Sequence, residues 1–389
     1  MENFEEKACL CALGKIFGFK PKIALALISH LGNACEVFKL NSKDIESLLG
    51  PHSRYGNLIR RAAVYESAEE LERYAKLNIS YVGWTEENYP QLLKECPDAP
   101  AGLYIRSTTH VSNLWIDCRS IAVVGTRDVS PYGKEWCAKA IFDMAATQER
   151  PTIVSGLALG TDICAHKAAL DAGLPTIAVM ATGPESVYPY RHREIADRIC
   201  STPGCALITD YPPGTSPLAI HFLRRNRIIA GLSEATILIE SKIKGGGMTT
   251  ARLAFSYDRD VYALPGRVDD IRSQGCNHLI KSKIAEPITS SEDLIRSLGM
   301  KNILENGRIS EREIISTAYA RTVPEDKISQ MAGILSEIRT KRGCTIEELA
   351  SVTGLGYART AEITSILEMD EFITIDLLQR CSINIKKNR

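Results

Sequence analysis

The chain has 389 residues, 44% hydrophobic and 24% charged, and its 47 basic side chains balance 47 acidic ones. This composition excludes a disordered chain and a uniformly basic nucleic-acid binder, and the length implies two or three domains rather than one core. Twelve cysteines without a C-x-x-C pair and seven histidines without ligand spacing predict reduced thiols in a cytoplasmic protein and no metal site.

The acidic start MENFEEKACL has no signal-peptide character, and no apolar run approaches the roughly 20 residues that cross a bilayer, so no membrane partner is expected. Residues 1 to about 75 read as helices, with Ile23, Leu27, Ile28 and Leu31 at helical spacing and breaks at Gly32-Asn33 and Leu49-Gly50-Pro51. A strand ISYVGW, a polar turn TEENYPQLLKECPDAP and a strand LYIR follow. From Ser120, the apolar strands SIAVVG, PTIVSG, TIAVMATG, ALITD, ATILIE and DVYALPG alternate with amphipathic helices. That pattern predicts a parallel sheet covered on both faces, with ligands bound at its carboxyl edge. Residues 299–327 read as a polar linker. Within 328–389, three helices with a glycine-containing turn and two short strands suggest a winged helix. The boundaries expected are thus 1–78, 79–298, 299–327 and 328–389.

The first strand of the alternating region ends VVGTRDVSPYG. Gly125 permits a tight turn, Arg127 follows at the carboxyl edge, and Pro131 suits the first turn of a helix that Ser130 caps, leaving N–H groups for an anion. The competing reading pairs Arg127 with Asp128. The next strand runs into SGLALGTDICAH, where Ser155 and Gly156 make a close-approach turn and Thr161 or Asp162 caps the helix. His166, one turn after Asp162, is read as its hydrogen-bond partner rather than as a catalytic group. The dinucleotide fingerprint is absent, and Glu135 stands where a P-loop requires a hydroxyl, so neither chemistry is expected. GGGMTTARLAF follows a strand directly, and its N–H groups are expected to form an anion nest.

Between these motifs lies HFLRRNRIIAGL. In a helix, Ile228, Ile229 and Leu232 form the core stripe, Arg224 and Arg227 share a face outside it, and Arg225 leans inward as a structural ion pair. Asn226 is free to bond backbone or base. Three arginines in four positions beside a glycine turn favour phosphate binding. Tyr132, Tyr188, Tyr190, Tyr211 and Phe222 fall in or near the same loops and are candidates for base stacking or for the core.

The motifs VGTRDVSPYG, SGLALGTDICAH, YPPGTSPLAIHFLRRNRIIAGLSEA, GGGMTTA, ALPG and GCNHLI, in this order, resemble those of the DNA-processing protein A family, also called DprA or Smf. The resemblance covers nearly the whole chain and is densest from Ile121 to Ile288. It implies an α/β protein with an extended Rossmann-like parallel sheet domain that binds single-stranded DNA without chemistry on it. A small helical, sterile-alpha-motif-like N-terminal domain and a C-terminal winged-helix domain would flank it. It further implies a cytoplasmic homodimer that protects incoming DNA and helps load the RecA recombinase during natural transformation, with no cofactor and no catalytic residue. The positions carried over are Arg127, Ser155, Gly156, Phe222, Arg224, Arg225, Asn226, Arg227, Gly246, Gly247 and Thr249. This chain departs from the family in having Leu223 where Pro is common and Gly247 where Ser is frequent.

Two rival readings are weaker. Nucleotide phosphoribohydrolases carry P-G-G-x-G-T-x-x-E in the corresponding turn, but here Thr249 replaces its glycine and Leu253 its glutamate, and leucine is neither acid nor base. A winged-helix transcription factor would need a basic recognition helix, whereas GLGYARTAEITSILE offers only Arg359.

Overall fold

The computed structural model describes residues 2–115, 119–301, 311–319, 323–341 and 343–384. They divide into two compact units, Met1–Asn302 and Ile303–Arg389.

The first unit opens with α1 (Glu2–Phe17), α2 (Pro21–Leu31), α3 (Ala34–Val37), α4 (Ser42–Leu49) and α5 (Arg61–Ala75). Asparagines start two of them: Asn33 and Asn41 each accept a backbone N–H from the first turn of the helix that follows. Next come β1 (Ile79–Gly83), α6 (Gln91–Lys94) and β2 (Gly102–Arg106). Leu10, Leu13 and Phe17 of α1 pack in one cluster with Ile79 and Tyr81 of β1 and Tyr104 of β2. The boundary expected at residue 78 therefore does not separate two cores, because the helices bury their apolar faces on the edge of the sheet.

The alternating region follows as β3 (Ser120–Val124), α7 (Pro131–Ala145), β4 (Thr152–Ser155), α8 (Thr161–Asp171), β5 (Thr176–Val179), α9 (Arg193–Ser201), β6 (Ala206–Thr209), α10 (Ala219–Gly231), β7 (Ala235–Leu238), α11 (Gly246–Ser256), β8 (Asp260–Ala263), α12 (Gln274–Lys281), β9 (Glu286–Pro287) and α13 (Ser291–Ser297). The sheet order is β1-β2-β6-β5-β4-β3-β7-β8-β9. All pairings from β6 to β9 are parallel, and β1 and β2 add an antiparallel edge. Successive side chains of a strand face opposite ways. Ile121 and Val123 accordingly join the cluster under α7 and α8, while Ala122 and Val124 join the one under α10 and α11. Burial on both faces explains why these strands are apolar throughout.

Chain order runs outward from β3 through β4, β5 and β6, then returns to β7 on the other flank of β3. The crevice at the carboxyl ends of β3 and β7 is thus the topological switch point, where open α/β sheets bind ligands. Gly299 to Lys301 continue this unit rather than beginning a linker. Met300 is buried in the α7 cluster, and the Lys301 backbone bonds Gln148 and Glu149.

The second unit contains α14 (Glu311–Tyr319), α15 (Glu325–Thr340), β10 (Cys344–Thr345), α16 (Ile346–Thr353), α17 (Tyr357–Met369), β11 (Ile373–Ile375) and β12 (Arg380–Ile383). Its strands form a sheet in the order β10-β12-β11. A capping box between Thr345 and Glu348 starts α16, and Gly354 ends it with φ +69°. The expected linker is corrected at 311–319, which form a helix because Ile315 and Tyr319 bury against Met331 and Leu335 of α15. Its portions at 302–310 and 320–322 lie outside the described residues.

Candidate nucleic-acid interface

The β3–β7 register pairs Val124 with Leu238, so the turns after both strands meet. Ser130 caps α7 by accepting the Gly133 N–H at 3.0 Å. The anion expected there is supplied internally. Glu240, two residues past β7 and 2% exposed, accepts the Ser130 N–H at 2.8 Å and its hydroxyl at 2.5 Å. A side chain at Gly133 would come within 2.8 Å of this carboxylate. The N-terminus of α7 is therefore closed to an outside ligand by its own carboxylate.

Arg127 stays at the surface. It makes no ion pair with Asp128. Its guanidinium lies 5.1 Å from the ring centroid of Phe222, and the Tyr188 ring meets that same ring edge-on at 5.6 Å. Phe222 is half-buried and Tyr188 48% exposed, so this stack is open to solvent. The remaining aromatic candidates divide. Tyr211 is buried and bonds the His221 carbonyl, Tyr132 bonds the Pro265 carbonyl, and Tyr190 is exposed beneath Arg193.

In α10, Ile228, Ile229 and Leu232 do enter the core, but the arginines take other places than their spacing predicts. Arg227, expected outside, is buried, and its two Nη atoms donate to the Asp98 carbonyl and the Asp210 carboxylate. Arg224, half-buried, lies 4.1 Å from the Phe19 ring centroid and donates to the Gly18 carbonyl at 2.7 Å, tying α10 to the N-terminal helices. Arg225 is 3% exposed, as an inward residue should be, but is not a closed ion pair: its Nε and Nη1 have no hydrogen-bond partner among the described residues. Asn226 Nδ2 reaches the Gly246 carbonyl at 3.4 Å.

Arg225 fits beneath the turn after β4 only because residue 156 is glycine. A Cβ there would stand 1.5 Å from its Nη1. Ser155 is buried, its hydroxyl donating to the Val123 carbonyl at 2.7 Å. Asp162 lies beneath the same turn and accepts the Ala158 N–H at 3.4 Å; burial raises its pKa, opposed chiefly by Arg225. Neither it nor Thr161 caps α8, whose N-cap is Gly160. His166 does not bond Asp162. Its Nε2 accepts the Leu157 N–H at 3.3 Å and its Nδ1 faces Thr176 Oγ1 at 2.8 Å. Burial, with Arg225 nearby, pushes its pKa down to about 3, which keeps the ring neutral.

The glycine turn is a plain helix start rather than a nest of alternating handedness, with Gly245 at φ −80° as N-cap and no side-chain cap. The glycines serve close packing: a Cβ on Gly247 would meet Leu238 at 2.7 Å and the Gly125 Cα at 3.1 Å. Gly246 is exposed with nothing within 4 Å of such a Cβ, and Thr249 is half-buried on the same first turn. The structure thus brings Arg127, Phe222, Arg225, Asn226, Gly156, Gly246, Gly247 and Thr249 around the switch point. It withdraws Ser155 and Arg227 into the interior and directs Arg224 to the N-terminal helices.

The sequence profile of the DNA recombination-mediator protein A family matches residues 80–299, which span β1's second residue through the end of α13 and hold every residue of this crevice. The chain belongs to that family. Among its relatives, protein Smf of Synechocystis sp. is 31% identical over 306 residues, 78% of this chain and 75% of its own. The X-ray structure of DNA processing protein A from Streptococcus pneumoniae superposes with a TM-score of 0.60 at 30% identity, covering 76% of this chain and 95% of that one. DNA processing protein A from Helicobacter pylori, described for its single-stranded DNA binding mode, superposes at 0.50 and 29% identity, over 57% of this chain and 95% of its own.

For this member of the DNA recombination-mediator protein A family, sequence reasoning overlooked the carboxylates that organise the site. Glu240 was visible as the only charge closing the apolar run ATILIE. Asp210 carried no such signal, because nothing in its local pattern points to Arg227 on another element 17 positions on, and Asp98 meets Arg227 through its backbone carbonyl, which no residue type marks. Among the described residues no cluster of metal-ligating side chains occurs, and no helix is long and apolar enough to cross a membrane.

Proposed function

We propose that the crevice holds single-stranded DNA, with Arg127 on a phosphate, Phe222 and Tyr188 against bases, and the first turn of α11 (Gly246, Gly247, Thr249) on a second phosphate. The observation that carries this reading is the open stack of Arg127, Phe222 and Tyr188 at the switch point. Base stacking on aromatic rings tolerates any sequence but needs unpaired bases, which favours single strands over duplex. Arg225, buried with unbonded N–H groups close behind Arg127, adds positive potential that Asp162 only partly offsets. The Helicobacter pylori relative's single-stranded DNA binding mode points the same way.

In this reading the chain binds DNA without reacting on it, and Leu253, packed against the core where the phosphoribohydrolase turn has its glutamate, supports that. The family further suggests a cytoplasmic homodimer that hands the strand to RecA during natural transformation. It also suggests a sterile-alpha-motif-like role for α1 to α5 and a winged helix for the second unit. Fluorescence anisotropy with single-stranded and duplex oligonucleotides of equal length, across a salt series, tests the binding. Affinity should favour the single strand and fall steeply with salt; equal affinity for duplex would exclude the stacking crevice.

A further inference from the structure

A surface cavity of about 440 Å³ is reached along the loop that carries Tyr188. Its walls include Leu77, just past α5, with Arg106, Val187, Tyr190, Arg193 and Asp197. Leu77 is 59% exposed and Tyr190 73%, so neither is held in place by burial in a core. Tyr190 is instead steadied by Arg193, whose guanidinium lies 5.9 Å from the ring centroid and donates to the phenolic oxygen at 3.3 Å. An exposed ring oriented by a neighbouring cation, at the wall of a cavity of small-ligand size, is suited to a flat partner.

The charges narrow the choice of partner. Asp197 accepts a hydrogen bond from Arg106 at 3.3 Å and forms an ion pair with Arg193 at 3.7 Å, and Glu185 adds a second carboxylate to the wall. Two guanidiniums are thereby balanced by two carboxylates, which leaves no excess positive charge for a phosphate. What remains is an apolar and aromatic slot rimmed by hydrogen-bonding groups, which matches a nucleobase. The place matches too. Tyr188 touches Phe222, and Tyr190 is two residues further on, its Cα no more than roughly 7 Å away.

We propose that this cavity is a second base-stacking subsite, in which Tyr190 takes a base of the same single strand beyond the one at Phe222, without a phosphate contact. The inference rests on the single-stranded DNA reading above and extends it towards α5.

The test uses the full-length protein, Tyr190→Ala, Tyr190→Phe and Phe222→Ala, with fluorescent oligothymidylates from about 4 to about 16 nucleotides. Tyr190 is exposed, so the melting temperature should not move. The shortest oligonucleotides should bind Tyr190→Ala like the wild type, whereas longer ones should lose about 5- to 100-fold in affinity, the range of one base stack. The log–log salt slope should stay unchanged, and Tyr190→Phe should retain binding at every length. The same length dependence in wild type and Tyr190→Ala would overturn the proposal, and so would a reduced salt slope, which would signal a phosphate contact. Thymidine monophosphate binding the cavity as tightly as the extra nucleotides do would make it a free-nucleotide site instead. If the wild type binds no oligonucleotide, the parent reading falls with this one. If Phe222→Ala weakens binding at all lengths and Tyr190→Ala at none, only this inference falls.

Discussion

Arg127 is exposed and lies over the Phe222 ring, whereas Arg227 is buried on Asp210 and the Asp98 carbonyl. Their substitutions should therefore separate binding from stability. Arg127→Ala should weaken single-strand binding and lower the log–log salt slope by roughly 0.7, one phosphate's share, at an unchanged melting temperature. Arg227→Ala strands a buried carboxylate and should cost about 3–5 kcal/mol in urea unfolding. An Arg227→Ala protein of wild-type stability would show that Asp210 is not held as described. His166 gives a pH signature. Its folded pKa of about 3 lies below the ordinary 6.5, so on acidification the unfolded chain takes up the proton first. Stability is then intact above the unfolded value and is lost as pH falls from near 6.5 towards 3, by up to about 1.4 kcal/mol per pH unit. His166→Gln should flatten this dependence, as read from urea midpoints at neutral and mildly acidic pH, whatever its cost at neutrality.

At the scale of elements, α11 and the turn after β3 approach so closely that two adjacent glycines answer to different constraints. Gly247→Ala drives a Cβ towards the Gly125 backbone and Leu238 and should cost on the order of 1–3 kcal/mol while reducing DNA binding. Gly246→Ala meets nothing and should change stability by less than about 1 kcal/mol. Thermal unfolding of the pair checks the contrast, and equal losses would mean that α11 is seated otherwise. The strands and the helices between them were legible because the apolar runs are buried on both faces and most of them stop at a small residue. The register of α10 was not. Arg225, Asn226, Arg227, Ile228 and Ile229 are all buried, so the helix lacks the polar face from which a register is read.

At the scale of the molecule, every residue placed around the switch point belongs to the unit Met1–Asn302. A chain ending after Asn302 should fold and keep single-strand affinity within a few-fold of the full-length protein. A cut at Gly299 should be worse, since it removes Met300 from the α7 cluster and the Lys301 backbone from Gln148 and Glu149. A folded fragment ending after Asn302 that has lost all binding would move the interface to the second unit.

The sequence by itself determined the parallel sheet and the family, because fully apolar strands, small-residue turns and ordered motifs are local or collinear signals. Only the tertiary structure decided which charges are withdrawn and which face solvent. Glu240 closes the α7 terminus, Asp98 and Asp210 draw Arg227 inward, Gly18 and Phe19 engage Arg224, and Arg127 is left facing solvent. A guanidinium is withdrawn or displayed according to the acceptors that folding brings within reach, and for Arg227 and Arg224 these lie up to 206 positions away in the chain.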